Sequence, residues 1–255
     1  MFKNDLLAGR AAMVTGASSG LGRHFAQVLA AHGAAVACCA RRADALAKTV
    51  DAITAVGGKA WTAEMDVTDA NSVAAAFDAA EQALGPIAVL INNAGIASTA
   101  RAMEIDEATW DRVMDTNLKG AWSVAQTFAK RLAAAETPGA IVNTASIMGL
   151  RQSAGVLPYA VSKAGLVQMT KLLALEWARY GIRVNAIAPG YIVTDLNRDF
   201  LAGDAGEALK KRVPQRRFGQ PHELDGAVLL LASDAGAYMT GEIIAVDGGH
   251  LVNTL

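Results

Sequence analysis

A regular alternation of short apolar runs and longer amphipathic segments constrains the fold of this chain more than any other feature. Seven runs rich in β-branched or apolar residues are predicted strands: residues 11–15, 34–40, 59–64, 87–91, 140–145, 182–187 and 243–246. Six segments with apolar residues at three-to-four spacing are predicted helices: residues 21–31, 43–56, 71–84, 107–134, 159–180 and 221–232. Candidate C-caps of several helices are Gly33, Gly57, Gly85 and Gly181. This alternation predicts an α/β fold with a doubly wound parallel sheet and helices on both faces.

The composition fits one large domain. The chain has 255 residues, of which 53% are hydrophobic and 18% are charged, so it can bury a large core and is not a disordered protein. No Pro/Gly/Ser-rich linker or block of charge divides it. We therefore expect a single domain over residues 1–255.

The charge balance argues against polyanionic partners. Lys and Arg number 23 and Asp and Glu number 24, and the resulting net charge of -1 leaves no global field to hold nucleic acid or an anionic membrane. The longest apolar stretches, such as residues 34–40, are far shorter than the roughly 20 residues of a spanning helix. Lys3, Asp5 and Arg10 interrupt the start of the chain, where a signal sequence needs an apolar run. We expect a cytoplasmic protein that binds neither nucleic acid nor membrane.

Cysteine and histidine give no sign of a metal or redox centre. Cys38 and Cys39 are adjacent in an apolar run, which favours two buried thiols over a strained disulfide. The four histidines are scattered without the spacing of zinc ligands: His24, His32, His222 and His250. No metal is expected.

A glycine-rich turn follows the first predicted strand. The sequence Thr15-Gly16-Ala17-Ser18-Ser19-Gly20-Leu21-Gly22 opens the first predicted helix, so backbone N–H groups and the helix dipole point at an anion. The glycines let a pyrophosphate approach the backbone without meeting a Cβ. The turn therefore predicts a phosphate-binding site. An ordinary glycine-rich turn between strand and helix is the structural alternative.

The same turn also matches G-x-S-x-G, the nucleophile elbow of serine hydrolases, with Ser18 as the nucleophile. In the hydrolase fold that elbow follows several strands, whereas only one predicted strand precedes Ser18. A serine hydrolase is therefore the less favoured hypothesis.

Two arginines, Arg41 and Arg42, follow the second predicted strand, about 20 residues after the glycine turn, where an NAD site would place an acid for the ribose hydroxyls. Their charge and forked hydrogen bonds suit a 2′-phosphate instead. This favours NADP(H), with NAD(H) still possible. The alternative is that both arginines form a solvated helix start and that Asp44 binds the ribose.

Five motifs occur along the chain in a characteristic order and spacing. They are Thr15-Gly16-x-x-x-Gly20-x-Gly22, Asn92-Asn93-Ala94-Gly95, Ser146, Tyr159-x-x-x-Lys163 and Pro189-Gly190. As a set they are highly specific, and over nearly its whole length the chain resembles the short-chain dehydrogenase/reductase family. The resemblance implies a Rossmann-type fold and an NADP(H)-dependent oxidoreductase. Such an enzyme transfers a hydride between nicotinamide and a carbonyl or secondary alcohol, for example a ketone, keto sugar, sugar acid or 3-oxoacyl thioester.

Tyr159 and Lys163 are one turn apart on the same face of a predicted helix, so the ammonium can lie beside the phenol. A positive charge there favours the phenolate, and we expect it to lower the pKa of Tyr159. Ser146 leaves the carboxyl end of a predicted strand, beside the cleft where parallel sheets bind ligands. A turn cap is the alternative role for this serine.

The resemblance assigns each of these residues a role. It implies that Tyr159 is the acid/base, that Lys163 also holds the nicotinamide ribose hydroxyls, and that Ser146 hydrogen-bonds the substrate oxygen. Asn117 and Gly120 have poor helix propensity inside residues 107–134, which predicts a local irregularity. The resemblance implies that Asn117 is a catalytic residue that holds a water linking Lys163 to solvent. A tolerated polar residue on a solvated face is the alternative.

The resemblance also implies cofactor-binding residues in loops at the carboxyl ends of the strands. The pair Asp66-Val67 would contact the adenine, Asn93-Ala94-Gly95 would form the wall beside the nicotinamide ribose, and residues 189–194 would clamp the carboxamide. The full predicted set is Gly16, Ser18, Ser19, Gly20, Leu21, Gly22, Arg41, Arg42, Asp66, Val67, Asn93, Ala94, Gly95, Tyr159, Lys163, Pro189, Gly190, Ile192 and Thr194. Ser19 stands where NADP-preferring relatives often carry a basic residue, so the expected NADP(H) preference depends on Arg41 and Arg42.

Substrate choice is expected in residues 191–220, which follow the clamp, include the mobile-looking run Gly203-Asp204-Ala205-Gly206, and would act as a lid. The lid carries five cations: Lys210, Lys211, Arg212, Arg216 and Arg217. They can attract a carboxylate or phosphate substrate, or they can form a solvated helix face.

The predicted helix over residues 159–180 is apolar around most of its circumference, which is more than one sheet face needs. The excess predicts a subunit interface. The resemblance implies that subunits pair through this helix and the preceding long one, as a homotetramer. A non-catalytic nucleotide-binding sensor on the same fold is the alternative function, although the intact catalytic set argues against it.

Overall fold

The computed structural model describes residues 5–195 and 197–252. It contains seven strands: β1 (Ala11–Thr15), β2 (Ala35–Ala40), β3 (Lys59–Glu64), β4 (Ile87–Asn92), β5 (Gly139–Thr144), β6 (Ile182–Pro189) and β7 (Ile243–Val246). They form one sheet in the order β3-β2-β1-β4-β5-β6-β7, and all neighbours pair in parallel. The chain winds outward from β1 in one direction and from β4 in the other, so the predicted doubly wound α/β fold class is confirmed. Every predicted strand lies within two residues of its expected ends.

Helices cover both faces of the sheet. They are α1 (Gly20–Ala31), α2 (Ala43–Thr54), α3 (Ala70–Leu84), α4 (Glu107–Met114), α5 (Ala121–Ala134), α6 (Leu157–Trp177), α7 (Arg198–Ala202), α8 (Asp204–Lys210) and α9 (Asp225–Ala232). Val14 and Cys38 pack in the core with α1, α2 and α9, whereas Met13 and Cys39 pack in the core with α3, α5 and α6. Successive strand residues alternate between faces, so the adjacent cysteines point in opposite directions. Both are free and buried as expected, and burial raises the pKa of Cys38 to about 12.

The predicted helix over residues 107–134 is divided into α4 and α5 by a π-helical turn, Asp115–Gly120. The expected irregularity at Asn117 and Gly120 is therefore confirmed. A Cβ on Gly120 would lie 2.8 Å from Val67 Cγ2 and 2.9 Å from Val67 O, so only glycine lets the helix approach the loop after β3 so closely. The wider turn carries an extra residue.

The predicted lid contains α7 and α8, which the sequence analysis did not predict. The run 203–206, expected to be mobile, instead begins α8, and Gly206 is buried against the backbone of Leu201. The two ends of the segment are joined at its base: Val193 N–H donates to Gly219 O, and Gly219 N–H donates to Tyr191 O, each at 2.9 Å. The lid segment therefore forms a loop after β6 whose two ends are hydrogen-bonded to each other.

Some expectations fall outside what the structure describes. Residues 1–4, Leu196 and residues 253–255, which the expected domain and lid include, are outside the described part of the chain. In the part that is described, no helix has the length and apolar character needed to cross a bilayer, and no cluster of His, Cys, Asp and Glu could hold a metal ion. The single domain and the cytoplasmic location stay predictions.

Candidate active site

A cavity of about 680 Å³ lies at the carboxyl ends of the strands. Its wall is built from the loops after β1, β2, β3, β4, β5 and β6 and from the start of α6. Most of the predicted site residues line it: Gly16, Ser18, Ser19, Gly20, Leu21, Arg41, Arg42, Asp66, Val67, Asn93, Ala94, Gly95, Ser146, Tyr159, Lys163, Pro189, Gly190, Ile192 and Thr194. One cavity therefore gathers residues that are far apart in the sequence.

Hydrogen bonds between the end of β1 and the loop after β4 fix the position of the glycine turn. Thr15 Oγ1 accepts hydrogen bonds from the backbone N–H groups of Asn93 and Ala94, both at 2.9 Å. Gly16 adopts φ +70°, and a Cβ there would lie 3.0 Å from Ala94 Cα. The backbone conformation and the space around it both require glycine, which leaves an open cradle at the start of α1.

Gly22, which was expected to bind the cofactor, lies behind the cavity wall. It does not line the cavity, and a Cβ on it would clash with Gly16 O and lie 2.6 Å from Asn93 Nδ2. Gly22 lets α1 pack closely against the turn. Its contribution to the site is therefore through the shape of the turn.

Arg42 is held at the edge of the cradle. Its Nη2 donates to Ser18 Oγ at 3.0 Å and to Ser19 Oγ at 3.2 Å. Arg41 lies nearby, with Nη1 3.9 Å from Asp66 Oδ2. Hydrogen bonds from Thr68, and secondarily the charge of Arg41, hold the pKa of Asp66 below its usual value. Arg41 and Arg42 both line the cavity, whereas Asp44 does not.

The geometry argues against the hydrolase hypothesis. The hydroxyl of Ser18 accepts from the guanidinium of Arg42 rather than donating to an imidazole. His24, the nearest histidine in the sequence, instead contacts Asp225 Oδ1 at 2.6 Å. A serine nucleophile needs a base within hydrogen-bonding reach, and among the described residues no histidine bonds to Ser18.

Ser146, Tyr159 and Lys163 meet at the other end of the cavity. Ser146 follows β5 and caps a short helical turn, because its Oγ accepts from Met148 N–H at 3.1 Å. The expected alternative role as a cap is thus also present. Tyr159 and Lys163 lie one turn apart near the start of α6. A Cβ on Gly149 would lie 2.7 Å from the backbone of Lys163, so this glycine lets the Ser146 loop pack directly on α6.

Burial dominates the electrostatics of this trio. It raises the pKa of Tyr159, while the hydrogen bond with Ser146 favours the phenolate and opposes that rise. Burial lowers the pKa of Lys163 to about 8. The expectation that Lys163 lowers the pKa of Tyr159 is therefore wrong for this geometry. The ammonium lies 5.7 Å from the centroid of the Tyr159 ring and donates to Thr144 O at 2.7 Å.

Asn117 does not line the cavity but supports its wall. Its Oδ1 accepts from Ile96 N–H at 2.8 Å, and its Nδ2 donates to Ile96 O at 2.8 Å and to Ser162 Oγ at 3.1 Å. A Cβ placed on Gly95 would lie 3.3 Å from Asn117 Oδ1 and 3.6 Å from Lys163 Nζ. The side chains of Asn117 and Lys163 thus flank the same glycine.

The backbone of the predicted clamp, residues 189–194, packs closely against the end of β7. Gly190 N–H donates to Val246 O at 3.0 Å, and a Cβ on Gly190 would lie 2.7 Å from Asp247 Cα. Asn197, which the sequence analysis did not single out, lines the cavity and ties the clamp together. Its Oδ1 accepts from Thr194 N–H at 2.8 Å and its Nδ2 donates to Ile192 O at 2.9 Å.

Thr144 is a second residue that the sequence analysis missed. It is the last residue of β5 and lines the cavity, and its buried Oγ1 has no hydrogen-bond partner among residues 5–195 and 197–252. Its position at a strand end, two residues before Ser146, was the available signal. A buried hydroxyl without a partner on a cavity wall is suited to a ligand.

These features fit the dinucleotide that the sequence predicts. The cradle at Gly16 suits a pyrophosphate, and Arg41 and Arg42 suit a phosphate on the adenosine ribose. At the far end, Lys163 and the unpartnered hydroxyl of Thr144 are donors that can meet ribose hydroxyls.

Comparison with known proteins agrees with this geometry. The family model described as enoyl-(acyl carrier protein) reductase matches residues 16–250. The chain is 38% identical over 248 residues to gluconate 5-dehydrogenase of Gluconobacter oxydans, covering 97% of this chain and 96% of that protein. It is 37% identical over 246 residues to 3-oxoacyl-[acyl-carrier-protein] reductase of Thermotoga maritima, covering 96% and 99%. The crystal structure of a gluconate 5-dehydrogenase from Burkholderia cenocepacia, in complex with NADP and tartrate, matches with a TM-score of 0.93 and 36% identity, covering 98% of each chain.

Proposed function

This chain belongs to the short-chain dehydrogenase/reductase family and is an NAD(P)-dependent oxidoreductase, and we propose that Ser146, Tyr159 and Lys163 are its catalytic residues. The observation that carries the proposal is that Ser146, Tyr159 and Lys163 line the same cavity, with Lys163 buried one turn beyond Tyr159 on α6 and bonded to the carbonyl of Thr144. The proposed reaction interconverts a carbonyl compound and a secondary alcohol.

Each residue has a distinct task in this reaction. The nicotinamide, when bound, supplies a hydride to the carbonyl carbon or accepts one from the alcohol carbon. In the reductive direction Tyr159 donates its phenolic proton to the substrate oxygen, and in the oxidative direction it takes that proton back. Ser146 donates a hydrogen bond to the same oxygen and stabilises the charge that develops on it. No metal enters the proposal.

The ammonium group of Lys163 is suited to bind both a backbone carbonyl and the cofactor. An ammonium has three N–H donors, and one of them is used by the carbonyl of Thr144. The other two are available to the nicotinamide ribose hydroxyls. With a pKa of about 8, the side chain remains mostly protonated at neutral pH and can restore the proton that Tyr159 gives up. Asn117 is proposed to hold the water that connects Lys163 to solvent, because both side chains flank Gly95.

The proposed cofactor is NADP(H) in preference to NAD(H). Arg42 is oriented by two serine hydroxyls of the glycine turn, and Arg41 lines the same end of the cavity. Two guanidiniums beside the adenosine ribose would favour a 2′-phosphate. Asp44, the acid that the NAD(H) alternative assigns to the ribose, does not line the cavity, and this supports the proposed preference.

The proposed partner is a small-molecule substrate, covered by the lid over residues 191–220. Within the lid, Tyr191, Ile192, Thr194 and Asn197 line the cavity and would contact the substrate and the nicotinamide. Relatives are named for sugar acids, polyols and 3-oxoacyl thioesters, so the reacting carbonyl fits all of these classes.

The proposed assembly is a homotetramer. Exposed apolar side chains occur on α5 and α6 at Trp122, Val161, Leu172 and Leu175. Apolar side chains of this size on adjacent helices fit a subunit interface. Light scattering should give four times the mass of the chain, and Leu175→Glu should reduce that mass. Val56→Glu, at an exposed position on another part of the surface, is the matched control and should leave it unchanged.

A coenzyme and substrate panel tests the proposed function. The purified enzyme would be offered ketones, keto sugars, sugar acids and 3-oxoacyl thioesters with NADPH, NADH or their oxidised forms, and absorbance at the nicotinamide band would be followed. We expect turnover of at least one class, with a higher kcat/KM for NADP(H). Tight NADP(H) binding without turnover of any class would support the nucleotide-binding sensor instead.

A further inference from the structure

The amide group of Asn117 is held by three hydrogen bonds. Its Oδ1 accepts from Ile96 N–H and its Nδ2 donates to Ile96 O, both at 2.8 Å. The second N–H of Nδ2 donates to Ser162 Oγ at 3.1 Å. An amide nitrogen carries two N–H groups, so both donors of this buried side chain are used. Without the hydroxyl of Ser162, one of these donors would be buried and unpaired, which is unfavourable.

The hydroxyl of Ser162 is also fully committed. Ser162 is buried, and its Oγ donates to the backbone carbonyl oxygen of Tyr159 at 2.7 Å. A hydroxyl has one proton, so this bond uses it, and the oxygen accepts the bond from Asn117. Ser162 does not line the cavity. The hydroxyl therefore has no proton to offer to a substrate, and it can affect a reaction only through its two partners.

These hydrogen bonds connect two walls of the cavity. Ile96 belongs to the loop after β4 and Tyr159 to the first turn of α6, and both residues line the cavity. The side chains of Asn117 and Ser162 lie between them, and we call this pair the bridge. The loop after β4 also carries residues 93–95, the proposed wall beside the nicotinamide ribose. The bridge therefore fixes the position of Tyr159 relative to that wall.

The π-helical turn that carries Asn117 packs closely on α6. A Cβ on Gly165 would lie 2.8 Å from Leu118 Cδ2, so a glycine at this position allows the close approach. Gly165 follows Ser162 by three residues and lies on the same side of the helix. The hydrogen bond between Asn117 and Ser162 is thus beside a close contact, and neither side chain is exposed to solvent. The bridge is part of the packed interior.

The same helix contains a matched pair of hydrogen bonds away from the cavity. Thr170 Oγ1 donates to the carbonyl oxygen of Leu166 at 2.8 Å and accepts from Asn143 Nδ2 at 2.9 Å. Thr170 and Asn143 are fully buried, as Ser162 and Asn117 are. Neither Thr170 nor Asn143 lines the cavity. Thr170 therefore shares the hydrogen-bond chemistry of Ser162 but does not lie between two cavity walls.

We propose that Ser162 is a positioning residue of the enzyme, whose hydroxyl links Asn117 to the backbone of Tyr159 and so aligns the phenol with the nicotinamide end of the cavity. The inference rests on the proposed function, because the alignment of Tyr159 matters for the rate only if Tyr159 exchanges the proton. A misplacement of reacting groups by up to about 1 Å slows a reaction without removing any of them. Loss of the bridge should therefore lower the rate of hydride transfer more than the affinity for NADPH.

Ser162→Ala and Thr170→Val test the bridge, because each removes one buried hydroxyl with the same kind of partners. Both should lower the midpoint of thermal unfolding by a similar amount, about 2 to 4 °C. Stopped-flow measurement of hydride transfer, with a substrate that the panel identifies, should show Ser162→Ala slower by about 10-fold and Thr170→Val within about 2-fold of the wild type. Fluorescence titration should show that both variants bind NADPH within about 2-fold of the wild-type affinity, since neither residue lines the cavity.

A double-mutant cycle tests whether Ser162 acts through Asn117. In Asn117→Ala the bridge is already broken, so adding Ser162→Ala should slow hydride transfer by less than about 2-fold further. Multiplication of the two single effects would overturn the inference. If Ser162→Ala does not fold, Ser162→Cys takes its place in both comparisons, because the thiol fills the same position with a weak hydrogen-bonding group.

The outcomes separate this inference from the proposed function. An unchanged rate of hydride transfer in Ser162→Ala, or equal slowing by Ser162→Ala and Thr170→Val, would overturn the positioning role alone, provided that Tyr159→Phe is slow in the same assay. A wild-type rate in Tyr159→Phe, or no hydride transfer by the wild-type enzyme, would instead overturn the proposed function and this inference with it.

Discussion

The Nζ atom of Lys163 donates a 2.7 Å hydrogen bond to the carbonyl oxygen of Thr144, the last residue of β5. This bond ties helix α6 to the strand that delivers Ser146 two residues later. It also explains how a lysine that is only 4% exposed is tolerated, because a buried ammonium must be compensated by hydrogen bonds. The three proposed catalytic residues are therefore positioned by a contact between strand and helix as well as by their own side chains.

The buried ammonium makes stability depend on pH. The pKa of Lys163 is lowered from 10.5 to about 8 on folding, so between these values the unfolded chain holds the proton more strongly. Folding stability associated with this group therefore rises as pH increases from 8 to 10.5. From about pH 7.5 to 10, the free energy of unfolding of the wild type should rise by about 2 kcal/mol relative to Lys163→Met.

Chemical denaturation of both proteins at several pH values measures this difference. The comparison cancels groups common to both proteins, including the buried thiols of Cys38 and Cys39, whose raised pKa values act in the opposite direction. A difference that stays constant, or that falls over this range, would contradict a buried lysine with a lowered pKa.

Removing the charge of Arg42 should change coenzyme preference. Because its guanidinium is oriented by Ser18 and Ser19 at the cavity edge, Arg42→Gln should raise the KM for NADPH by about 10-fold to 100-fold and change the KM for NADH little. Lys48→Gln, which removes an exposed cation from helix α2, is the matched control. Equal increases in KM for NADPH and NADH would show that Arg42 supports the glycine turn and does not bind the 2′-phosphate.

Gly22 should matter for folding more than a glycine at an open turn. A side chain at Gly22 would clash with the backbone of Gly16, so Gly22→Ala should destabilise the protein by about 2 to 3 kcal/mol. Gly57 has φ +82°, and a Cβ on it would meet nothing within 4 Å, so Gly57→Ala should cost about 1 kcal/mol from backbone strain alone. Thermal unfolding compares the two, and equal shifts would show that α1 does not depend on the close approach.

Much of the fold was predictable because the relevant signals are local. Periodicity placed every strand of the sheet, and the poor helix propensity of Asn117 and Gly120 indicated the π-helical turn. Helices α7 and α8 were missed because they are short and separated by Gly203, so neither has enough length to show a period. The run beginning at Gly203 looks mobile in the sequence because the packing of Gly206 against Leu201, which orders it, is tertiary.

The site shows the same division between local and tertiary information. Spacing placed Tyr159 and Lys163 on one helix face, but it could not show that burial would be the largest influence on both pKa values. The contacts of His250 with Arg151 and Tyr191 could not be predicted, because they join segments that are far apart in the sequence. Sequence motifs thus located the proposed chemistry, and tertiary packing determines what surrounds it.

The central claim is that the phenolic hydroxyl of Tyr159 is the acid/base of the reaction. Tyr159→Phe tests it by removing one oxygen atom. Tyr180→Phe, at an exposed position just beyond the end of α6, is the control. Stopped-flow measurement of hydride transfer should show Tyr159→Phe slower by about 1000-fold or more, with NADPH bound within about 2-fold of the wild-type affinity, while Tyr180→Phe is unchanged. Hydride transfer at a rate within about tenfold of the wild type would contradict the assignment of Tyr159 as the acid/base.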